Sequence, residues 1–492
     1  MSKLNNLDLL LSRLADPSGL VRDLSCRSIS TLLLNPELRE KVETSLFQWM
    51  KEQKLESLAP LGVLAFLRAK LTNNSFEMPS FKMLKDAIEK PSVLSWIFLR
   101  ECTDSFPLRL QNMHSSSAPD CYKAESIFEK YSRYGMRPFY AHNVEELEEM
   151  HDLPVEKQWS FEFNEIVKES QLKPSPDSFD YKGREDDEHF EVFDPLLNEI
   201  CLSSYLRTLA WLISKGVSRR KIVNLVIEIC PIDLGLWRLE NSSRPKFWPK
   251  INTNEKDASA NNQIWNQLNL LYRAQFTQET DWVIAKADGR VSESAEILDL
   301  NISGFFKASD GCLTPDISEL INWLFFPYRI ENTNYSLCFE GKIKPLSPKN
   351  WKQNFRDWII YPAMWEITPK TALSWQFWRL SRGVYFPAPF ILEKPGSFEC
   401  KKDSLAIYEG PTIVGKWRDW TDGLTDRMTA NLPPSTGNVL MIKRSIIERF
   451  EKKTNSEFCW GCCITRFCRS GRFERYNENY DYKLYVKEQV TT

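Results

Sequence analysis

Short apolar stretches at helical spacing, each preceded by residues that typically begin helices, occupy the first hundred positions of the chain. In "ADPSGLVRDLSCRSISTLLL", Asp16 stands at an N-cap position and Pro17 at the first helical position, where no N–H is needed. Asn35 and Pro36 repeat the pair ahead of "ELREKVETSLFQWMKEQ". The same spacing continues through "SLAPLGVLAFLRAKL" and "MLKDAIEKPSVLSWIFLREC". This part of the sequence therefore predicts a series of short amphipathic helices.

The motif D-P-x-x-x-V-R, which begins at Asp16, resembles a HEAT-type repeat. A helical solenoid needs roughly three or more repeats to bury its faces, and the helices that follow are suitable as further irregular units. We therefore expect residues 1–110 to form HEAT-like helical repeats. Because such a stack is typically a scaffold, this expectation favours binding over catalysis.

Residues 111–262 are predicted to form a mostly helical middle region with long polar loops. The helix "NEICLSSYLRTLAWLISKG" ends in Lys215 and Gly216, a pair typical of a C-cap. Ser218 is then placed to cap the next helix, "SRRKIVNLVIEIC". Both segments have the periodic apolar positions that a packed helix requires.

Two stretches of this middle region have the composition of loops. Residues 171–195 are rich in proline, serine and acidic side chains, and residues 240–262 are rich in asparagine, serine and lysine. The second stretch also contains Phe247 and Trp248, which are unusual in a solvated linker. We therefore expect part of this linker to dock on another surface.

Alternating apolar and polar positions begin after residue 263 and predict strands. "ETDWVIAKADGRV" and "EILDLNISGFFKA" both alternate between turn residues, and Asp316 is placed to cap the helix "DISELINWLFF". Residues 263–345 are therefore predicted to form a small α+β region.

Residues 346–492 are predicted to form a Trp-rich α+β domain. Its last part reads as a strand "GNVLMIK", a helix "RSIIERFEKK" with Ser445 and Glu448 at capping-box spacing, and the strands "EFCWGCCITRFC" and "YDYKLYVKEQV". The fold class predicted for the whole chain is α+β. A HEAT-like α-helical N-terminal part is followed by a mixed α/β, strand-rich C-terminal part.

The charge balance of the chain gives no support for nucleic acid or a membrane surface as its main partner. The 64 Lys and Arg residues nearly cancel the 66 Asp and Glu residues, so no basic excess favours nucleic acid or an anionic membrane surface. The Trp-rich tract of residues 350–378 is accordingly more typical of a core or a protein interface than of base stacking.

The longest apolar run, residues 58–67, is about half of the length that a helix needs to cross a bilayer. Charged residues from Asp8 onward interrupt any signal-peptide core, so a cytoplasmic protein with reduced cysteines is expected.

Four cysteines, Cys459, Cys462, Cys463 and Cys468, lie close together near the C-terminus. The pair 459/462 has zinc-ligand spacing, but no clean second pair follows. In a strand, Cys462 and Cys468 face one side and Cys459 and Cys463 the other, so the four thiols cannot converge on one ion. The redox motif C-x-x-C requires a helix after it, and none is predicted here. Packed strand cysteines are the favoured interpretation, and a metal site is the alternative.

An acidic stretch around His189 is the second candidate for chemistry. Asp186 and Asp187 lie close to it, and the three residues are suited to binding a hard metal ion or to acid–base catalysis. Runs of charge are more often solvated loops. The sequence has no G-x-x-x-x-G-K-[ST], G-x-G-x-x-G, H-E-x-x-H or G-x-S-x-G motif. We therefore assign no catalytic residue, cofactor or metal ligand, and a metal-dependent hydrolase using these three residues is the alternative.

The order of several phrases resembles a known class of proteins. "LADPSGLVRDLSCRSISTLL", "EKPSVLSWIFL", "EVFDPLLNEICLSSYLRTLAWLISKG", "CPIDLGLWRL", "DWVIAKADGRV" and "NLPPSTGNVLMIKRSIIERF" followed by "CWGCCITR" resemble in series the HEAT-containing C-terminal regions of bacterial STAND and conflict-system proteins. Those proteins usually carry an ATPase or another effector ahead of this region. This chain has no nucleotide-binding loop, so the resemblance does not extend to ATPase activity.

Within that class, the chain resembles the non-enzymatic substrate proteins of type III-E CRISPR systems. The resemblance implies a non-catalytic component of bacterial antiviral defence that an RNA-activated, CHAT-type caspase-like protease complex cuts. It also implies that the N-terminal part binds and restrains an extracytoplasmic-function sigma factor. Neither nucleic acid nor a membrane is implied as a direct partner.

A scissile bond of that kind is expected in an extended, locally unfoldable segment in or near the passage between the two parts. One candidate is Met364–Trp365 in "IIYPAMWEITPK", where prolines on both sides favour an extended and accessible backbone. The other is Met428–Thr429 in "TDRMTANLPPSTGN". The alternative for both is that the methionines are packed in a core.

Overall fold

The structure is a computed structural model. It describes residues 6–16, 19–102, 116–127, 138–172, 195–229, 239, 242, 244–248, 258–277, 281–293, 296–308, 317–325, 329–332, 340–350, 352–355, 358–369, 384–401, 403–421, 435–468 and 477–487. The chain divides into two compact units, Met1–Asp233 and Leu234–Thr492. This division falls inside the predicted middle region, residues 111–262.

The regular elements described in the first unit are helices. They are α1 Asn6–Arg13, α2 Gly19–Leu33, α3 Arg39–Glu52, α4 Ala59–Thr72, α5 Phe81–Asp86, α6 Val93–Glu101, α7 Pro138–His151, α8 Val155–Ser170, α9 Pro195–Ser214 and α10 Arg219–Ile229. Helices close in sequence pack on one another: α2 contacts α1, α3 and α4, and α8 contacts α7 and α9. Their assignment to HEAT-type repeats stays a prediction.

Local sequence signals set several of these helix ends. Ser92 and Ser95 form a reciprocal capping box at the start of α6. Gly216 follows α9 with φ +93°, a left-handed conformation that glycine adopts without steric cost. Its N–H and that of Val217 donate to the carbonyls of Ile213 and Leu212, at 3.1 and 3.0 Å. The predicted C-cap at Gly216 is therefore confirmed.

The second unit contains three described α-helices and fourteen described strands. The helices are α11 Ala258–Thr277, α12 Ile317–Phe325 and α13 Arg444–Thr454. The strands are β1 Trp282–Glu293, β2 Glu296–Ala308, β3 Arg329–Asn332, β4 Glu340–Ile343, β5 Gln353–Phe355, β6 Trp358–Pro362, β7 Met364–Pro369, β8 Val384–Pro387, β9 Gly396–Cys400, β10 Leu405–Glu409, β11 Thr412–Thr421, β12 Ser435–Lys443, β13 Ser456–Cys468 and β14 Asn477–Tyr485. The chain is thus α+β, with a helical N-terminal half and a strand-rich C-terminal half, as the sequence predicts.

Most strands form one antiparallel sheet of eleven strands. Its order is β14-β13-β2-β1-β12-β11-β10-β9-β4, and β6 pairs with both β2 and β5. A second sheet has the order β3-β7-β8, in which β3 and β7 are parallel. The large sheet therefore draws strands from both predicted regions, residues 263–345 and residues 346–492, because β1 and β2 lie between β12 and β13.

Helix α13 connects β12 to β13 across the two intervening strands. Its 11 residues span about 16 Å at about 1.5 Å per residue, which is close to three strand spacings of about 4.8 Å. The capping box predicted for this helix is wrong. Lys443 is the N-cap and makes no side-chain cap, and Ser445 already lies inside the helix, because β12 leads directly into it.

Candidate functional site

The cysteine-rich segment is the strand β13, as predicted. It pairs with β2 along one edge and with β14 along the other. Cys459, Cys462 and Cys463 are fully buried free thiols. Strand alternation places Cys459 and Cys463 on one face and Cys462 on the other, and Cys468 ends the strand.

Both faces of β13 are covered. On one face, Cys459 packs with Phe305 of β2 and Leu324 of α12. On the other face, the Trp460 ring lies 5.2 Å from that of Tyr272 in α11. The indole N–H of Trp460 also donates to the carbonyl of Ile284, at 2.8 Å. Although β13 is next to the terminal strand β14 of the sheet, α12 covers one of its faces and α11 the other.

This burial decides the chemistry of the thiols. It raises the pKa of Cys459 and of Cys462 well above the ordinary value, and raises the pKa of Cys463 to about 11. The thiolate is the form that attacks substrates and binds metals, so these groups are held in the unreactive form. In the described part of the chain, no group of three or more His, Cys, Asp or Glu residues is arranged to hold a metal ion.

A polar centre that the sequence analysis missed lies on strands β1 and β2. Lys286 pairs with Ser303 and Asp288 pairs with Asn301, so the four side chains share one face of the sheet. The Lys286 ammonium donates to Asn301 Oδ1 and Ser303 Oγ, both at 2.9 Å, and lies 3.1 Å from Asp288 Oδ1. The Lys286 side chain is only 1% exposed.

Lys286 is a buried cation whose neighbours in the sheet are polar, aromatic or negatively charged. Desolvation lowers the pKa of Lys286, and the Asp288 carboxylate opposes that shift. The ammonium also lies 5.4 Å from the centre of the Tyr385 ring on β8, and Glu366 of β7 adds a further negative charge. A lysine with a lowered pKa is suited to nucleophilic chemistry. Here the N–H donors of Lys286 are occupied and its side chain is enclosed. In this geometry Lys286 contributes to the packing between the two sheets.

The sequence signal for this centre is misleading. In "WVIAKADGRV", alternation places Lys286, Asp288 and Arg290 on one strand face, which reads as the solvated side. The side-chain exposure instead increases along that face, from 1% at Lys286 to 14% at Asp288 and 33% at Arg290. Only the covering second sheet distinguishes the buried end from the exposed end.

The helical unit contains a second buried ionic cluster, centred on Arg207 of α9. Its guanidinium donates to Glu56 Oε1 at 2.7 Å and to Glu169 Oε2 at 2.9 Å. Glu162 lies 3.7 Å away, and Lys90 binds Glu169 at 2.8 Å. The cluster joins α8, α9 and the segment before α4 through one cation shared by three carboxylates.

Two carboxyl groups of this cluster differ in acidity. Burial raises the pKa of Glu162 to about 7, although Arg207 and Gln158 oppose that shift. Hydrogen bonding to Arg207 lowers the pKa of the more exposed Glu169 to about 2. A single guanidinium cannot fully compensate three carboxylates, and the most enclosed of them retains a proton most readily.

Both predicted cleavage positions belong to the second unit, Leu234–Thr492, and neither lies at the division between the two units. Met364 and Trp365 begin β7, where they pair with Pro387 and Phe386 of β8. The two residues are 0% and 3% exposed. The backbone is extended, as expected, but the folded strand encloses the bond. This agrees with the alternative that the methionine is packed in a core. A protease requires β7 to be released before it can cut there. Met428 and Thr429 lie outside the described residues, as do Asp186, Asp187 and His189.

The sequence was also compared with known proteins. No family model matches the chain, and no curated protein is significantly similar to it. Among the helices that the structure describes, none combines the length and the apolar character that crossing a membrane requires.

Proposed function

We propose that this chain is a non-catalytic interaction protein of a bacterial antiviral system of the CRISPR type, acting in the cytoplasm. Its N-terminal part binds and restrains an extracytoplasmic-function sigma factor. A CHAT-type caspase-like protease complex cuts the chain and changes that restraint. The identity of these partners rests on the sequence resemblance to substrate proteins of type III-E systems.

The division of the chain carries the proposal. A helical unit ending at Asp233 and a sheet unit beginning at Leu234 each have their own core. A polypeptide built in this way loses the covalent connection between two folded parts when a single bond between them is cut. Such an arrangement suits a protein whose binding is altered by proteolysis.

The state of the reactive side chains also supports binding over catalysis. The thiols of Cys459 and Cys462 are buried and neutral, and the Lys286 ammonium is enclosed by hydrogen-bond acceptors. Arg207 is held by carboxylates inside the helical unit. A catalytic group must reach a substrate, and these described groups do not.

The direct test is to mix the full-length chain with the cognate protease complex and target RNA. We expect two fragments, formed only when the RNA matches the guide, and mass spectrometry of the fragments locates the bond. A mismatched RNA is the control. A chain that stays intact with matched RNA removes the claim that it is a protease substrate.

Binding of the sigma factor is tested separately with the uncut chain. We expect the two proteins to elute together from a sizing column, and the complex to change after cleavage. A sigma factor that elutes alone in the presence of the intact chain contradicts this part of the proposal.

Metal analysis of the purified chain separates the proposal from a metal-dependent hydrolase. A stoichiometric metal ion that is present in the wild-type chain and lost in Asp187→Ala would overturn the proposal. Asp120→Ala, at an exposed position of the same unit, is the matched control.

A further inference from the structure

Two glycines face each other on neighbouring strands of the large sheet. Gly289 of β1 pairs directly with Gly437 of β12. A Cβ added to Gly289 would lie 1.8 Å from the ring of Trp248, and one added to Gly437 would lie 2.0 Å from the ring of Trp420. Real atoms do not approach so closely, so the two indole rings occupy the volume that side chains would fill at these positions. We call the surface formed by Gly289, Gly437 and Trp420 the glycine window.

The ring that fills the glycine window comes from a segment outside the sheet. Trp248 belongs to the described residues 244–248, which precede α11. Its ring meets that of Trp420 of β11 edge to face, with centroids 4.9 Å apart. Ser242 forms a bridge with Trp420, and its hydroxyl donates to the carbonyl of Asp419. Among the described residues, the segment is thus attached to the sheet through the buried Trp248 ring and through Ser242.

The attachment leaves hydrogen-bonding capacity unused. The indole N–H groups of Trp248 and of Trp420 are both buried, and neither has a hydrogen-bond partner among the residues that the structure describes. A buried donor without an acceptor costs free energy that offsets part of the gain from burying the ring. Arg244 and Lys246, which flank the anchor, are exposed to solvent. The two rings therefore fit closely against the sheet while their N–H groups stay without an acceptor among the described residues. This combination favours a reversible contact over a permanent one.

We propose that the glycine window is a binding notch for a tryptophan-bearing peptide segment, and that the chain's own residues 244–248 fill it reversibly. The recognition is steric, because a flat ring fits against the two strands at Gly289 and Gly437, where neither strand carries a side chain. A tryptophan in a second peptide of the same character can take the place of Trp248 when the segment leaves. This inference does not depend on a protease or a sigma factor.

The first experiment measures how firmly the segment is held. Trypsin cuts after Lys246 only when the segment leaves the sheet, because the docked backbone cannot enter the protease. We expect Trp248→Ala and Gly289→Ala each to speed this cut by about tenfold or more, since a docked segment is cut in proportion to its open population. Gly415→Ala is the matched control, because its Cβ meets Pro387 and not the segment. Unchanged cutting at Lys246 in Trp248→Ala overturns the proposal.

The second experiment supplies the segment in trans. The peptide SSRPKFWPK, residues 242–250, should bind the Trp248→Ala chain saturably and bind the wild-type chain about tenfold or more weaker, since there the notch is filled. The same peptide with alanine in place of its tryptophan should not bind. Adding Gly289→Ala to Trp248→Ala should abolish binding. Failure of the peptide to bind the Trp248→Ala chain overturns the proposal, even if Gly289→Ala proves unstable.

Discussion

Arg207 Nε donates a 2.7 Å hydrogen bond to Glu56 Oε1, and the two side chains are 5% and 4% exposed. The bond joins α9 to the segment before α4, across 151 positions of sequence. Burying both charges is costly, and their attraction roughly repays that cost only while both partners are present. The pair therefore fixes which part of α9 meets the start of α4 more than it adds net stability.

Removing one partner of this pair should be strongly destabilising. We expect Arg207→Met to lower the free energy of unfolding by about 3–5 kcal/mol, because the buried Glu56 carboxylate is left uncompensated. Lys168→Met is the control, since Lys168 and Glu165 form a surface ion pair with side chains 78% and 33% exposed. That control should cost less than about 1 kcal/mol. Urea unfolding measures both, and equal losses would contradict the buried role of Arg207.

The proton held by Glu162 should make the helical unit less stable as the pH rises. The pKa of Glu162 is raised from 4.5 to about 7 on folding, so between these values the folded chain binds more protons than the unfolded chain. The free energy of unfolding should then fall with rising pH by up to about 1.4 kcal/mol per pH unit. Glu162→Gln should remove this dependence, and Glu165→Gln on the same helix should not.

Glu169 titrates in a lower pH range than Glu162. Its pKa is lowered to about 2, so its contribution is present above pH 4.5 and is lost as the pH falls towards 2. Urea midpoints between about pH 5 and pH 7.5 therefore report on Glu162 without interference from Glu169. A slope that is the same in wild type and Glu162→Gln would show that Glu162 is not the group that titrates.

Replacing Lys286 with a neutral side chain should destabilise the sheet unit, because the polar groups that contact its ammonium lose their partner. Lys286→Met should cost about 3–5 kcal/mol, because Asp288 loses its counter-charge. Adding Asp288→Asn should recover at least about 1 kcal/mol of that loss, since the remaining groups are then neutral. Lys401→Met, at an exposed ion pair, is the control and should cost less than about 1 kcal/mol. A double variant less stable than Lys286→Met would mean that Asp288 supports the sheet independently of the lysine.

The thiols of β13 should be unreactive in the folded chain. A maleimide reagent should label Cys121, which is exposed, and should leave the peptide containing Cys459 and Cys462 unlabelled until denaturant is added. Peptide mapping by mass spectrometry reads out both sites in one sample, and Cys121→Ser identifies the exposed signal. Rapid labelling of Cys459 in the native chain would show that β13 is not held in the sheet as described.

The backbone at Met364 and Trp365 should resist a general protease while the chain is folded. Chymotrypsin should cut after Trp365 only under conditions that release β7, because the strand is paired with β8 and buried. Cutting in increasing urea, followed by N-terminal sequencing, measures this protection. Native cutting at that position would restore it as an accessible site for the proposed protease.

The sequence by itself determined where most elements lie, because periodicity and end signals act over a few residues. The glycine after α9, the strand that contains Cys459 and the helix between β12 and β13 all follow from local patterns. The docking of Trp248 was also predictable, since a linker rarely contains an aromatic residue without a surface to cover it.

Tertiary structure alone decided what those elements bury. Lys286 lies on a strand face that reads as solvated, and Arg207 is a charged residue of a predicted helix, yet strands and helices distant in sequence cover them. Likewise, the pairing of Gly289 with Gly437 joins positions far apart in the chain, and no local pattern encodes that meeting. Short-range conformational preference is written in neighbouring residues, whereas burial and charge pairing depend on contacts that exist only after the chain has folded.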